Sequence, residues 1–132
     1  MHKAHVFLAV QEFGQNHEIV SDLIGFAPTK AWVKGDPFAE HPGLFHKFNH
    51  WSYQSPLPLE ASVENHLTAL LEVLESHARG VRNVSARYPA HIGCAVYSDD
   101  AVAGFHLGAS ILARISALNL AFDYELYCTE SI

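Results

Sequence analysis

The sequence is short of cysteine, of positive charge and of long apolar runs, and each shortage removes a class of protein. There are only two cysteines, Cys94 and Cys128, and no C-x-x-C pair. A small secreted fold stapled by disulfides carries more of them at closer spacing, and a thioredoxin-like redox site needs the pair. Both fall in strand-like runs and are expected to be reduced core residues. Eight Lys and Arg stand against fourteen Asp and Glu, for a net charge of −6. Nucleic-acid binding draws its affinity from phosphate neutralisation by a basic stripe. Here only Arg79, Arg82 and Arg87 cluster, so no nucleic-acid partner is expected. No apolar run approaches the roughly 20 residues of a membrane span. The run Val6 to Val10 is cut short by Gln11 and Glu12, too soon for a signal peptide. A cytoplasmic protein without a membrane partner is the expectation.

Phosphate-cradling and nucleophile-elbow motifs are also absent: there is no G-x-G-x-x-G, P-loop or G-x-S-x-G. His17-Glu18 opens like the zinc-protease motif H-E-x-x-H, but Ser21 stands where the second His is required. No cofactor is expected.

What remains is a chain of 132 residues, 49% apolar, suited to one domain over residues 1–132. Strand formers and turn signals alternate along it. A first strand is expected over 4–13, a helix over 16–24 stopped by Gly25, and a second strand over 29–34. A Pro- and Gly-rich loop follows over 35–44, then a third strand over 45–53. The clearest helix runs over 59–79, with Gly80 closing it and a further helical turn or two over 81–87. A strand over 91–98, a possible short strand over 103–107, a helix over 107–118 and a strand over 120–127 complete the order. This is an α+β fold: a mostly antiparallel sheet with three helices mainly on one face, a ferredoxin-like βαββαβ start, and an added α-β.

Ten histidines are the most unusual part of the composition. His41, His46 and His50 lie within ten residues and are the weak metal candidates. On a regular strand His46 and His50 would stand roughly 13 Å apart, too far for one zinc, so no metal site is assigned. His66 and His77 share a helical face but not a site. Cys94 faces away from His91 on a strand and reads as a core thiol. Asp99-Asp100 reads as a turn, and Asp123 and Glu125 as solvent- or partner-facing. No catalytic residue is nominated.

Aromatics are the second excess. Phe26, Trp32, Phe38, Phe45, Phe48, Trp51 and Tyr53 are seven of the fifteen, within 28 residues. A hairpin with aromatics on both faces has one side left over once the core is filled, and exposed Trp and Tyr anchor interfaces.

Several stretches resemble a known family. Ile19 to Thr29 followed by Lys34-Gly35-Asp36, then Trp51 to Ser55 with Leu59 and the helix Val63 to Leu74, then Ala117 to Tyr127, are similar to the opening, middle and close of a bacterial family catalogued as domain of unknown function 4279. The loop over 36–45 is longer and more aromatic than that pattern. The resemblance implies a small stand-alone domain with no assigned reaction, and hints at immunity or regulatory partners of other proteins. The combined expectation is a non-catalytic module that binds a protein partner, or its own copy, through Trp32, Lys34, His46, His50 and Trp51. The acidic balance suits a basic partner. The alternative is a small metal- or ligand-binding enzyme using the His-rich loop.

Overall fold

The computed structural model describes residues 2–99 and 105–128. Strand β1 (His2–Val10) alternates as far as Leu8: Ala4, Val6, Leu8 and Val10 are buried, Lys3, His5 and Phe7 point the other way, and Ala9 is buried as well. It feeds helix α1 (Glu18–Ile24), where the Asn16 side chain accepts the Glu18 N–H at 2.9 Å. Gly25 ends the helix in the left-handed conformation, as the sequence suggests. Strands β2 (Lys30–Trp32) and β3 (His50–Gln54) form an antiparallel pair joined by a long loop. Helices α2 (Val63–Ser76) and α3 (Ala78–Arg87) lead to β4 (Ala90–Ser98); α4 (Ala109–Ala117) and β5 (Ala121–Cys128) complete the chain. The start of the short strand expected at 103–107 lies outside the described residues, and Phe105 to Gly108 is irregular.

The sheet order is β2-β3-β1-β4-β5. The first four strands pair antiparallel in the order of a ferredoxin-like βαββαβ unit, and β5 adds parallel to β4. The helices cover one face, and a single cluster of buried side chains from β1, β3, β4 and the helices forms the core. Cys94 belongs to it; Cys128 does not, and stands exposed at the end of the edge strand β5, where alternation runs out.

Two sequence readings need correction. The long helix expected over 59–79 starts later, capped by Ser62, whose hydroxyl accepts the Asn65 N–H at 3.1 Å. It breaks at His77 (φ −125°, ψ 32°), giving four helices in place of three. Gly80 does not close it. Gly80 sits inside α3, where a side chain would meet the Ile24 carbonyl oxygen at 2.5 Å and that of Leu23 at 2.7 Å. The glycine lets α3 lie directly on the end of α1, and the bend at His77 supplies the change of direction. The third strand is also shorter than expected. Residues 45–49 belong to a folded loop, and strand pairing resumes only at His50.

Candidate functional site

The uncovered face of the sheet is set by the same alternation that fills the core. Lys30 and Trp32 on β2, His50, Ser52 and Gln54 on β3, His5 and Phe7 on β1, and His91, Gly93, Ala95 and Tyr97 on β4 all point away from the helices. On β5 the same side carries Asp123 and Glu125. Gly93 makes room for Phe7 here. A side chain at this position would meet the Phe7 ring at 2.5 Å, so the ring tip rests on β4 where a methyl group would otherwise stand.

At the β2 edge the loop over 33–49 folds back on itself. His46 donates its N–H to the Asp36 carbonyl (2.8 Å), Gly35 donates to the His46 carbonyl (2.9 Å), and Phe38 donates to the Leu44 carbonyl (3.0 Å). The Asp36 carboxylate accepts the Val33 N–H at 3.0 Å. Asn49 ties the loop to its surroundings, accepting the Lys34 N–H at 2.8 Å and donating to the Gly14 carbonyl.

These bonds place four rings in one stack. Phe38 lies on His46 (centroids 3.9 Å apart), His46 on Trp32 (4.0 Å) and Trp32 on His50 (4.4 Å), with interplanar angles of 24°, 17° and 19°. Trp32 and His50 are directly opposed across the β2–β3 pair, and the loop delivers His46 from beyond the sheet edge to the other face of the indole. The expected site residues Trp32, His46 and His50 are thus brought together, although not as a strand face. Lys34 stands exposed and lines a neighbouring groove with Lys47 and Phe48.

Trp51 is not part of this surface. It is 0% exposed and points into the core on the opposite side of β3 from His50, with its indole N–H donated to the Ser21 hydroxyl at 3.0 Å. The period of two along a strand forces the separation: if His50 faces out, Trp51 faces in.

The metal candidates separate too. An indole lies between the His46 and His50 rings, and a zinc ion needs its ligands about 2 Å away. The His41 ring stands at 67° to that of Phe38, with centroids 6.4 Å apart. Among the described residues no group of three or more His, Cys, Asp or Glu side chains could hold a metal ion.

What the loop leaves exposed is apolar. Phe48 (77% exposed), Phe45 (57%), Leu44 (56%) and Phe38 are four of the eight large apolar side chains that stand exposed among the described residues. Together with Trp32, His46, His50 and Lys47 they line an open groove of about 520 Å³. A neighbouring groove of about 610 Å³ is bordered by Glu12, Lys34, Lys47 and Phe48.

Comparison with known proteins comes down to one match. The family model of a domain of unknown function (DUF4279) matches residues 2–129. The chain belongs to this family. No curated protein and no solved structure matches it. The family match spans every strand and helix of the fold, including the aromatic loop, and no helix among the described residues is long and apolar enough to cross a membrane.

Titratable groups add a pH dependence. His66 is buried on α2, its Nδ1 at 2.7 Å from the Ser55 hydroxyl. Burial pushes its pKa below the usual 6.5, opposed by hydrogen bonds to the Leu59 and Pro58 backbone and aided by nearby His2 and His5. His50 is lowered as well, by burial first and then by Lys30, His91 and His46. Burial also pushes the Cys94 thiol up to about 11, which leaves it protonated and a poor nucleophile near neutral pH. A histidine with a depressed folded pKa binds its proton more readily in the unfolded chain. Its contribution to stability is therefore complete above pH 6.5 and is lost as pH falls through the folded pKa. Melting temperature should fall steadily below pH 6.5, each such group contributing up to about 1.4 kcal/mol per pH unit. His66→Gln should flatten that slope; an unchanged slope in thermal scans would remove His66 from this role.

Proposed function

We propose that the protein is a non-catalytic binding module that grips a partner protein with the aromatic loop over 35–48. The observation that carries this reading is an exposed apolar loop held in one shape. Phe45 and Phe48 stand in water, while the backbone beneath them is fixed by hydrogen bonds and by the ring stack of Phe38, His46, Trp32 and His50. A loop that needed no contact would be polar or free to move. A preformed apolar surface lowers the ordering cost of association, and large side chains in such settings carry most of an interface's energy.

The groove's own chemistry describes the partner. It sets exposed apolar side chains beside Gln11, Lys47 and Asn49, and the neighbouring groove adds Lys34 and Glu12. It suits a protein segment that inserts an apolar side chain with a carboxylate next to it, although the chain as a whole is acidic. An immunity or regulatory role would be exercised through this contact.

The double substitution Phe45→Ser/Phe48→Ser tests the reading. Both side chains are exposed, so the melting temperature should hold. The amount of protein co-purifying with tagged protein from the cells that make it should fall at least about tenfold, the loss expected of one hot-spot residue. Sedimentation of the purified protein alone separates the two possible occupants. Self-association abolished by the same substitutions would make the partner a second copy, and association that survives them would overturn the assignment of the loop.

A further inference from the structure

A third concavity lies on the open face of the sheet and contains none of the exposed phenylalanines Phe38, Phe45 and Phe48. It is a groove of about 300 Å³ between β2, β3, β1 and β4, lined among others by Lys30, His50, Ser52, Gln54, His5 and Phe7. Ser52 and Ala95 keep its floor low, because bulkier residues there would fill it. The His50 Nε2 lies 2.8 Å from the Ser52 hydroxyl, and the His5 Nδ1 lies 3.4 Å from the Gln54 amide nitrogen.

The charge of this groove runs against the charge of the chain. The protein carries fourteen acidic residues, and none lines the groove. Lys30 is exposed and forms no ion pair among the described residues. The carboxylates of this face stand on β5, on the far side of Phe7, and are engaged there. Asp123 lies 3.4 Å from His91, and Glu125 accepts the Tyr127 hydroxyl. The charged and titratable groups that bear on His50 are Lys30 from β2, His91 from β4 and His46 from the loop, all cationic when charged. Phe7 and Tyr97 form the apolar wall opposite Lys30.

We infer that this groove is a binding site for a small organic anion, its carboxylate or phosphate headgroup held by Lys30, His50 and Ser52 and its apolar body laid against Phe7 and Tyr97. The headgroup supplies the negative charge that the surroundings of Lys30 and His50 lack, and the Ser52 hydroxyl donates a hydrogen bond to it while the His50 Nε2–H donates to the Ser52 oxygen. The groove shares Trp32 and His50 with the aromatic loop's stack, but Lys30, Ser52 and Gln54 belong to the sheet and line this groove alone of the two.

Titration of the whole protein with phenyl phosphate and with benzoate, followed by NMR of the histidine rings and backbone amides, tests it. Saturable shifts at His50, His5, Ser52 and Gln54 are expected with at least one probe, the tighter probe naming the headgroup. Affinity should rise as pH falls, because a bound anion favours the charged imidazole of His50. Lys30→Gln should weaken binding about tenfold or more, and Lys30→Arg should restore most of it. Neither should alter the melting temperature or the association made by the loop. No saturable shift with either probe to about 10 mM, a dissociation constant too weak to count as a site, would overturn the inference. So would shifts that Lys30→Gln leaves unchanged.

Discussion

Trp51→Ala is expected to cost about 3–5 kcal/mol of folding stability, the range for truncating a large buried aromatic, and so to consume much of a small domain's total. The indole is fully buried, donates to the Ser21 hydroxyl at 3.0 Å, and packs beside Phe26 with centroids 5.8 Å apart. Its removal opens a cavity between β3 and α1 and leaves the Ser21 hydroxyl without this partner. Trp32→Ala makes the informative contrast. That indole is only partly buried, so its loss should disturb the stack and the loop while costing much less stability. Urea denaturation of both variants decides between the two roles. A Trp51→Ala protein as stable as the parent would mean that the side chain belongs to a surface after all.

Gly80→Ala is expected to destabilise, against the sign that helix propensity alone would give. In an exposed helix the change would gain about 1 kcal/mol. Here the new methyl group would stand 2.5 Å from the Ile24 carbonyl oxygen and 2.7 Å from that of Leu23. Both obstacles are backbone, so neither can swing aside, and α3 must lift from α1. Overpacking of this kind costs about 1–3 kcal/mol, enough to reverse the propensity gain. Thermal denaturation of the single variant measures the sign directly, and a higher melting temperature would show that α1 and α3 are not in contact at Gly80.

Both positions show where sequence reasoning stops. Gly80 is followed by helical residues and preceded by a long apolar stripe, so it reads as a terminator. Its actual reason, a neighbouring helix 56 or so positions earlier in the chain at Ile24, is not local. The break at His77 is hidden for the same cause: nothing in the apolar spacing of Val63 to Leu74 marks it, and His77 packs against Phe26 from another helix end, with centroids 4.9 Å apart. Local features were legible. Gly25 ends α1, Cys94 and His91 point to opposite faces, and Phe122, Tyr124 and Leu126 share a side of the last strand.

The site was half legible for a comparable reason. Trp32, His46 and His50 could be grouped because they lie close along the chain. Reading 45–53 as one strand, however, put His46 and His50 on a single flat face and left Trp51 free to be an anchor. The fold-back depends on hydrogen bonds between Gly35, Asp36, Phe38, Leu44 and His46, which composition does not reveal. The anion groove was further out of reach, since its walls come from four strands. A trace of it is visible in hindsight as the alternation of Lys3, His5 and Phe7 with Ala4, Val6 and Leu8, which marks the second face of β1 as polar.

The binding reading rests most directly on the loop having one shape before any partner arrives, and amide hydrogen exchange of the free protein tests that without a partner in hand. The amides of Gly35, Phe38, Leu44 and His46 are donated to carbonyls within the loop, and slow exchange is expected at all four, lost on Trp32→Ala as the ring stack comes apart. Exchange at the rate of an unfolded chain in the parent protein would contradict a preformed surface, and with it the assignment of the aromatic loop as the binding element.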